Sequence, residues 1–274
     1  MAELKIDSSS IDSIQRRTYE VITRVANDKR VPFIIVGASA RDLVMHHGYG
    51  ADIQRATRDI DLAVQVEDWD AFHAIKSSLV AEGYRETKAS QRSIDDQDIP
   101  LDIVPFGPLE NPDAKIKWPD GTSEMGVMGF KEALDHADRV IVVGDPSLEL
   151  PVASPVGLVL LKLVAWSERD PQIRKKDAAD ILYLLHNYEN IPTMTDRLYD
   201  QHLDVMESYD WDSRHAGAHI LGLDVAGIAE PKTLLLLREI LDDESLERFC
   251  EDAGADPVGG NETMVEAFCA GLLG

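Results

Sequence analysis

Cysteine is almost missing from the sequence: Cys250 and Cys269 are the only two, with no CxxC spacing. That excludes a disulfide framework and a cysteine-built zinc site, and leaves two buried or idle thiols. Long apolar runs are missing as well. Crossing a bilayer takes ~20 apolar residues; the longest run here, VGLVLLKLVAW, is shorter and carries Lys162. The opening stretch MAELKIDSSSIDSIQRR is polar and mixed in charge, unlike a secretion signal. A soluble cytoplasmic protein without membrane contact is therefore expected. Positive charge is scarce: 27 basic residues face 50 acidic ones, a net charge of −23, of which −12 falls in residues 201–274. Broad duplex DNA binding needs a basic footprint and is excluded, whereas a local basic patch gripping one RNA end is not. Neither an internal repeat nor a low-complexity segment is present.

What remains is 274 residues, 44% of them hydrophobic, enough for about two ordinary domains. Apolar residues at helical spacing predict an amphipathic helix over residues 10–28. VPFIIVGA predicts a buried strand ending at Gly37, SARDLVMHHG a helix closed near Gly48, and RDIDLAVQV a second strand. DWDAFHAIKSSLVAEGY reads as a helix capped by Asp68 and stopped by Gly83. IPLDIVPFG reads as a strand broken by Pro105, residues 108–126 as a loop or hairpin, and ADRVIVVGD as another strand. Beyond Pro151 the period changes from 2 to 3.6. Pro155 opens one helix behind a Ser154 cap, RKKDAADILYLLHNY forms a second, and PKTLLLLREILDDESLERFCEDAG forms one or two more. The expected organisation is an α/β (α+β) domain over 1–150 and a helical domain over 151–274.

RATRDIDLAV, residues 55–64, raises a physical question. Asp59 and Asp61 alternate with Ile60, Leu62 and Val64, so a strand would set both carboxylates on one face. Like charges so placed repel, unless a cation lies between them. Mg²⁺ takes oxygen ligands, commonly one or two carboxylates with substrate phosphates and water. Two-metal phosphoryl transfer uses a further carboxylate, and Asp102 in PLDIVPFG sits between apolar residues on another expected strand. Upstream, IIVGASARD runs from strand through a turn of small residues into a helix, a natural cradle for phosphate. Taken singly, each could be an exposed acidic edge or a plain tight turn. Their order is what is informative.

VGASARD, TRDIDLAV and LDIVPFG together resemble the nucleotidyltransferase superfamily with a DNA polymerase β-like catalytic fold. With SPVGLVLLKLVAWSERD and RKKDAADILYLL, the chain is similar to the AbiEii/AbiGii-type toxin nucleotidyltransferases over roughly residues 30–190. The resemblance implies a polymerase β-like mixed sheet with flanking helices, followed by helices that complete the nucleotide cleft. It makes Asp59, Asp61 and Asp102 metal ligands and catalytic acids, Gly37 and Ser39 triphosphate contacts, and Lys162 a phosphate ligand. Asp177 becomes a helix-borne catalytic acid and Asp180 the second acid of that helix. Ala38 replaces the usual second Gly or Ser, and the 22 residues from Gly37 to Asp59 exceed the compact motif.

Arg41, Arg55 and Arg58 flank the acids and could neutralise phosphate. Arg169, Arg174, Lys175 and Lys176 form the clearest basic cluster, either a solvated helix start or a grip on triphosphate or RNA. Lys162 could equally be a snorkelling lysine with its stem along the core. His46 and His47 read as ordinary helix-end histidines, and Trp118, Trp166 and Tyr183 as core or cleft wall. The implied activity is Mg²⁺-dependent transfer of NMP from an NTP to an acceptor hydroxyl, with one or two ions and release of pyrophosphate. A toxin-like role on tRNA 3′ ends, with an antitoxin protein as partner, accompanies it. The alternatives are a CCA-adding-like enzyme, a small-molecule (antibiotic) nucleotidyltransferase, and a non-catalytic module on the same fold.

Overall fold

Period-2 patterning with β-branched residues at alternate positions lays the first half of the chain into strands. The computed structural model describes residues 1–54, 57–121, 124–254 and 260–274, and the chain divides into two compact units, Met1–Ser154 and Pro155–Gly274. In the first unit the strands are β1 (Glu3–Asp7), β2 (Phe33–Val36), β3 (Ile60–Gln65), β4 (Arg85–Glu86), β5 (Arg92–Ile94), β6 (Pro100–Phe106), β7 (Lys115–Lys117), β8 (Glu124–Gly126), β9 (Asp138–Val143) and β10 (Leu148–Val152). The helices are α1 (Ser13–Lys29), α2 (Gly37–Arg41, continued by a π-helical segment Asp42–Gly48), α3 (Trp69–Ala81) and α4 (Phe130–Asp135).

Among the described residues, eight strands form one sheet in the order β1-β9-β10-β2-β3-β6-β5-β4, and β7 and β8 pair as a separate hairpin. The sheet is mixed. β2 runs antiparallel to β3, β3 parallel to β6, and β6 antiparallel to β5. Ile60, Leu62 and Val64 stand opposite Leu101, Ile103 and Pro105, so the aliphatic face of β3 continues onto β6. Leu62 and Val64 meet Ile22 and Val25 of α1 and Ile75 and Leu79 of α3. Burying that face removes apolar surface at about 25 cal/mol per Å² and fixes the register, because a one-residue slip would turn the aspartates into the core.

The cap and stop expected of α3 are present. The Asp68 carboxylate accepts from the Ala71 amide at 2.8 Å at the start of α3, and Gly83 turns the chain out of it with φ +100°. Pro105 does not break β6. The β5–β6 ladder pairs Arg92 with Asp102 and reaches only to the Ile103 amide, so the missing Pro105 N–H falls where no outer strand needs it. β1 was not legible because ELKID offers only Leu4 and Ile6 to the core, its other three residues being exposed.

The second unit is helical: α5 (Pro155–Glu168), α6 (Pro171–Asn187), α7 (Pro192–Asp196), α8 (Leu203–Ser208), α9 (Ser213–Ile228), α10 (Pro231–Ile240), α11 (Asp243–Ala253) and α12 (Gly260–Leu273). Proline at a first helical position forfeits an amide that has no partner there anyway. The sequence pattern does not announce α9 and α12. Their contact is made by glycine: a Cβ on Gly222 would lie 2.2 Å from the Phe268 carbonyl oxygen, and one on Gly271 2.0 Å from that of His219. Such backbone-to-backbone contact is invisible to a search for wide apolar stripes. Cys269 is buried and Cys250 half-buried. Burial pushes both thiols up, Cys269 to about 12, which favours their protonated form near neutral pH. No helix among the described residues is long and apolar enough to cross a membrane.

Candidate active site

Four strands bring the acids together. Val36 stands opposite Asp61, Asp61 opposite Asp102, and Asp102 opposite Arg92, giving a single lateral row across β2, β3, β6 and β5. Laterally paired residues share a face, and their Cβ atoms lie about 4.5–5.5 Å apart. Asp59, two residues before Asp61, is exposed. The sheet register therefore places Asp61 beside Asp102 on the face opposite Leu62 and Ile103. Like charges directly opposite each other destabilise a sheet, and here the Arg92 guanidinium answers them. Its Nε and Nη2 donate to the two Asp102 carboxylate oxygens at 2.8 and 2.6 Å. Those hydrogen bonds, then the charges of Asp102, Asp59 and Asp61, hold Arg92 protonated well above its ordinary range.

Gly37 closes the other side. Its φ is +69°, and a Cβ there would lie 2.1 Å from Asp61 Oδ2, so the Asp61 carboxylate packs directly against the Gly37 main chain. Only glycine tolerates both conditions. Gly37→Ala is expected to cost at least the ~1–2 kcal/mol of a left-handed L-residue and to displace the Asp61 carboxylate. A lowered melting temperature together with lowered transfer activity checks this.

Ser39 does not face outward. It is buried, its hydroxyl donates to the Val36 carbonyl at 3.2 Å, and it shares a hydrogen bond with Tyr19, whose own ionisation burial pushes far up. The hydroxyl expected to contact triphosphate is thus engaged inside the domain. Arg41 is likewise turned inward. Its Nη2 pairs with Asp42 at 2.7 Å and its Nη1 donates to the Gln54 side-chain oxygen at 3.0 Å, tying the long loop after α2 to the helix. Arg58 is exposed beside the acids, and Arg55 lies outside the described residues. His46 Nδ1 donates to the Ala51 carbonyl at 2.6 Å, a loop-holding role consistent with its reading as a helix-end histidine.

In the helical unit, Lys162, Asp177 and Asp180 form one cluster. Lys162 Nζ lies 2.8 Å from Asp177 Oδ1 and 2.9 Å from Asp180 Oδ2, and Arg169 Nη1 donates to both Asp177 oxygens at 2.9 and 2.8 Å. The Asp177 and Asp180 side chains are 1% and 3% exposed. The Lys162 ammonium, expected either to bind phosphate or to snorkel to solvent, is held by these two buried carboxylates. Asp177, expected as a helix-borne catalytic acid, is thus enclosed by Lys162 and Arg169. Arg174 is also engaged, with Asp252 and over the face of Trp166, 5.6 Å from the ring centroid. Lys175 and Lys176 stay exposed. Trp118 and Trp166 are buried, as expected of core.

A divalent ion fits the strand site by donor chemistry. Among the described residues no three His, Cys, Asp or Glu side chains converge as a ready-made cage. Yet the acids of the row offer hard carboxylate oxygens, the preference of Mg²⁺ and Mn²⁺, and the absence of a side chain at Gly37 is what lets the Asp61 carboxylate take its place there. Arg92 was missed from the sequence. Its signal is the turn-rich DDQD between RSI and PLD, a short hairpin that places residue 92 against residue 102.

The family model described as nucleotidyl transferase AbiEii toxin, type IV TA system, matches residues 21–251. That span runs well beyond residue 190, where the motifs legible in the sequence end. No curated protein matches the chain. Among solved structures, the antibiotic-resistance factor ANT(2″)-Ia is similar at 15% identity over 73% of this chain and 99% of its own, with a TM-score of 0.39. The Thermotoga maritima CCA-adding enzyme complexed with tRNA is similar at 11% identity over 96% and 80%, with a TM-score of 0.27. Likeness this distant bears on neither activity nor substrate.

Proposed function

The chain belongs to the AbiEii nucleotidyltransferase toxin family, and from that premise we propose that it transfers NMP from an NTP to an acceptor hydroxyl on the 3′ end of a tRNA, using Mg²⁺. The observation that carries this reading is the register that sets Asp61 directly opposite Asp102, with Gly37 against the Asp61 carboxylate. In the reaction the acceptor oxygen bonds to the α-phosphorus, the bond from that phosphorus to the β-bridging oxygen breaks, and pyrophosphate leaves. Asp59, Asp61 and Asp102 would hold one or two Mg²⁺ ions, whose charge stabilises the transferring phosphoryl group and the leaving pyrophosphate. The Gly37 main chain lines the phosphate path, and Arg58 adds positive charge beside it.

Lys175 and Lys176, the exposed cations of α6, supply a confined grip on a polyanion, which suits a chain of net charge −23 better than broad RNA binding. The cluster of Lys162, Asp177 and Asp180 fixes the start of α6, and so the placement of those lysines. The type IV toxin–antitoxin description of the family supports an antitoxin protein as partner.

The test is transfer of label from each of the four α-³²P-NTPs to total tRNA with Mg²⁺. One base is expected to label tRNA, and EDTA is expected to abolish the signal. Label that appears only on small hydroxylated acceptors would replace tRNA by a small-molecule substrate. No transfer to any acceptor would overturn the catalytic reading.

A further inference from the structure

Arg92 is absent from every motif that marks the site, yet it terminates the row of acids. The main chain around it is pinned. Its amide donates to the Ala89 carbonyl, and its carbonyl accepts from the Thr87 amide at 3.3 Å and from Lys76 Nζ at 3.3 Å. Lys76 is itself buried and bonded to the Ser93 hydroxyl at 2.8 Å. The side chain is different: it is 39% exposed, while the Asp102 it grips is 18% exposed. A fixed strand thus carries a solvent-facing arm whose guanidinium bonds both oxygens of Asp102, the site acid next to it in the row. A divalent ion that uses Asp102 needs at least one of those oxygens.

We propose that Arg92 is the resident counter-cation of the Asp59, Asp61 and Asp102 site, paired with Asp102 while no metal is bound and displaced from it when a divalent cation enters. The inference rests on the metal-binding reading of the three acids. A forked, charge-assisted pair of hydrogen bonds is among the stronger contacts a carboxylate makes, and an incoming ion must break it, so the apparent metal affinity is lower than the acids alone would give. The pairing keeps two adjacent carboxylates compatible in the metal-free chain and frees the arginine only in the loaded one. Once released, the guanidinium stays on the face where a triphosphate would lie.

The experiment is calorimetric titration of the full chain with Mg²⁺ and with Mn²⁺, without nucleotide, alongside melting curves with and without metal. Arg92→Gln is expected to bind either ion about ten-fold more tightly than wild type. It should melt lower without metal and regain the difference when metal is added. Arg92→Lys keeps the charge and loses the fork, so a gain of about three-fold is expected; it carries the test should Arg92→Gln not fold. If wild type binds metal and both variants bind it no more tightly, Arg92 is only a structural pair and the inference falls, while the metal reading stands. If wild type binds no metal, or Asp61→Asn binds as well as wild type, the metal reading falls and takes the inference with it.

Discussion

Replacing Asp61 by Asn is expected to cut nucleotidyl transfer by about 10³-fold or more while leaving the metal-free melting temperature at or above that of wild type. The two halves of this result have the same cause. Asp61 lies directly opposite Asp102 in the β3–β6 ladder, and its carboxylate packs against Gly37. In the absence of metal that carboxylate is a burden, because two like charges face each other across a strand pair, with the Arg92 guanidinium gripping Asp102. Asn keeps the size and an oxygen acceptor and removes the charge, so the sheet gains. With metal bound as proposed the balance would reverse, since Asn would offer a neutral oxygen where a charged ligand is needed. Label transfer and a melting curve on the same preparation check both. Activity within ten-fold of wild type would remove Asp61 from the machinery, and a fall in melting temperature would show that its role is to hold the strands.

The core of the site was readable because its geometry is carried by the strand period. RDIDLAV alternates acidic with aliphatic residues; β3 begins at Ile60, so Asp59 stands just before the strand, while Asp61 lies within it on the face opposite Leu62 and Val64, which pack against α1 and α3. The acid at Asp102 was readable for the same reason. What lay outside the sequence was pairing. Arg92 joins the site only because a five-residue turn returns the chain so that residue 92 meets residue 102, and no periodicity announces which arginine a turn will deliver. The surroundings of Ser39 and Arg41 were hidden for another reason. Their residue types suit phosphate binding, but the helix after Gly37 rotates both into the body of the domain, where Val36 and Tyr19, or Asp42 and Gln54, take up their polar atoms. α9 and α12 were hidden because their contact is made by Gly222 and Gly271 at main-chain distance. A helix that packs through missing side chains leaves little apolar pattern to read.

Lys162→Met is expected to lower the stability of the chain by about 3–5 kcal/mol, a larger structural effect than any substitution among the strand acids. The lysine sits in VGLVLLKLVAW, where a methionine would satisfy every apolar neighbour, so hydrophobicity alone predicts a neutral or stabilising change. The ion pairs decide otherwise. Asp177 and Asp180 are nearly fully buried and both meet the Lys162 ammonium below 3 Å. Removing it strands Asp180 without that cation and leaves Asp177 to Arg169, whose side chain is 44% exposed and can compensate only in part. Breaking one member of a buried ionic cluster costs far more than deleting the cluster whole. The triple change Lys162→Met, Asp177→Asn, Asp180→Asn is therefore expected to recover much of the loss, and Lys162→Arg to fall between. Chemical denaturation measures all four proteins. If Lys162→Met instead melts like wild type while NTP binding weakens, the lysine is a phosphate ligand that pairs with the acids only while it waits for nucleotide. Its place in an apolar helix would then be explained by substrate and not by packing. The enclosed geometry of Asp177 favours the first outcome, because a carboxylate 1% exposed holds its cation as part of the core.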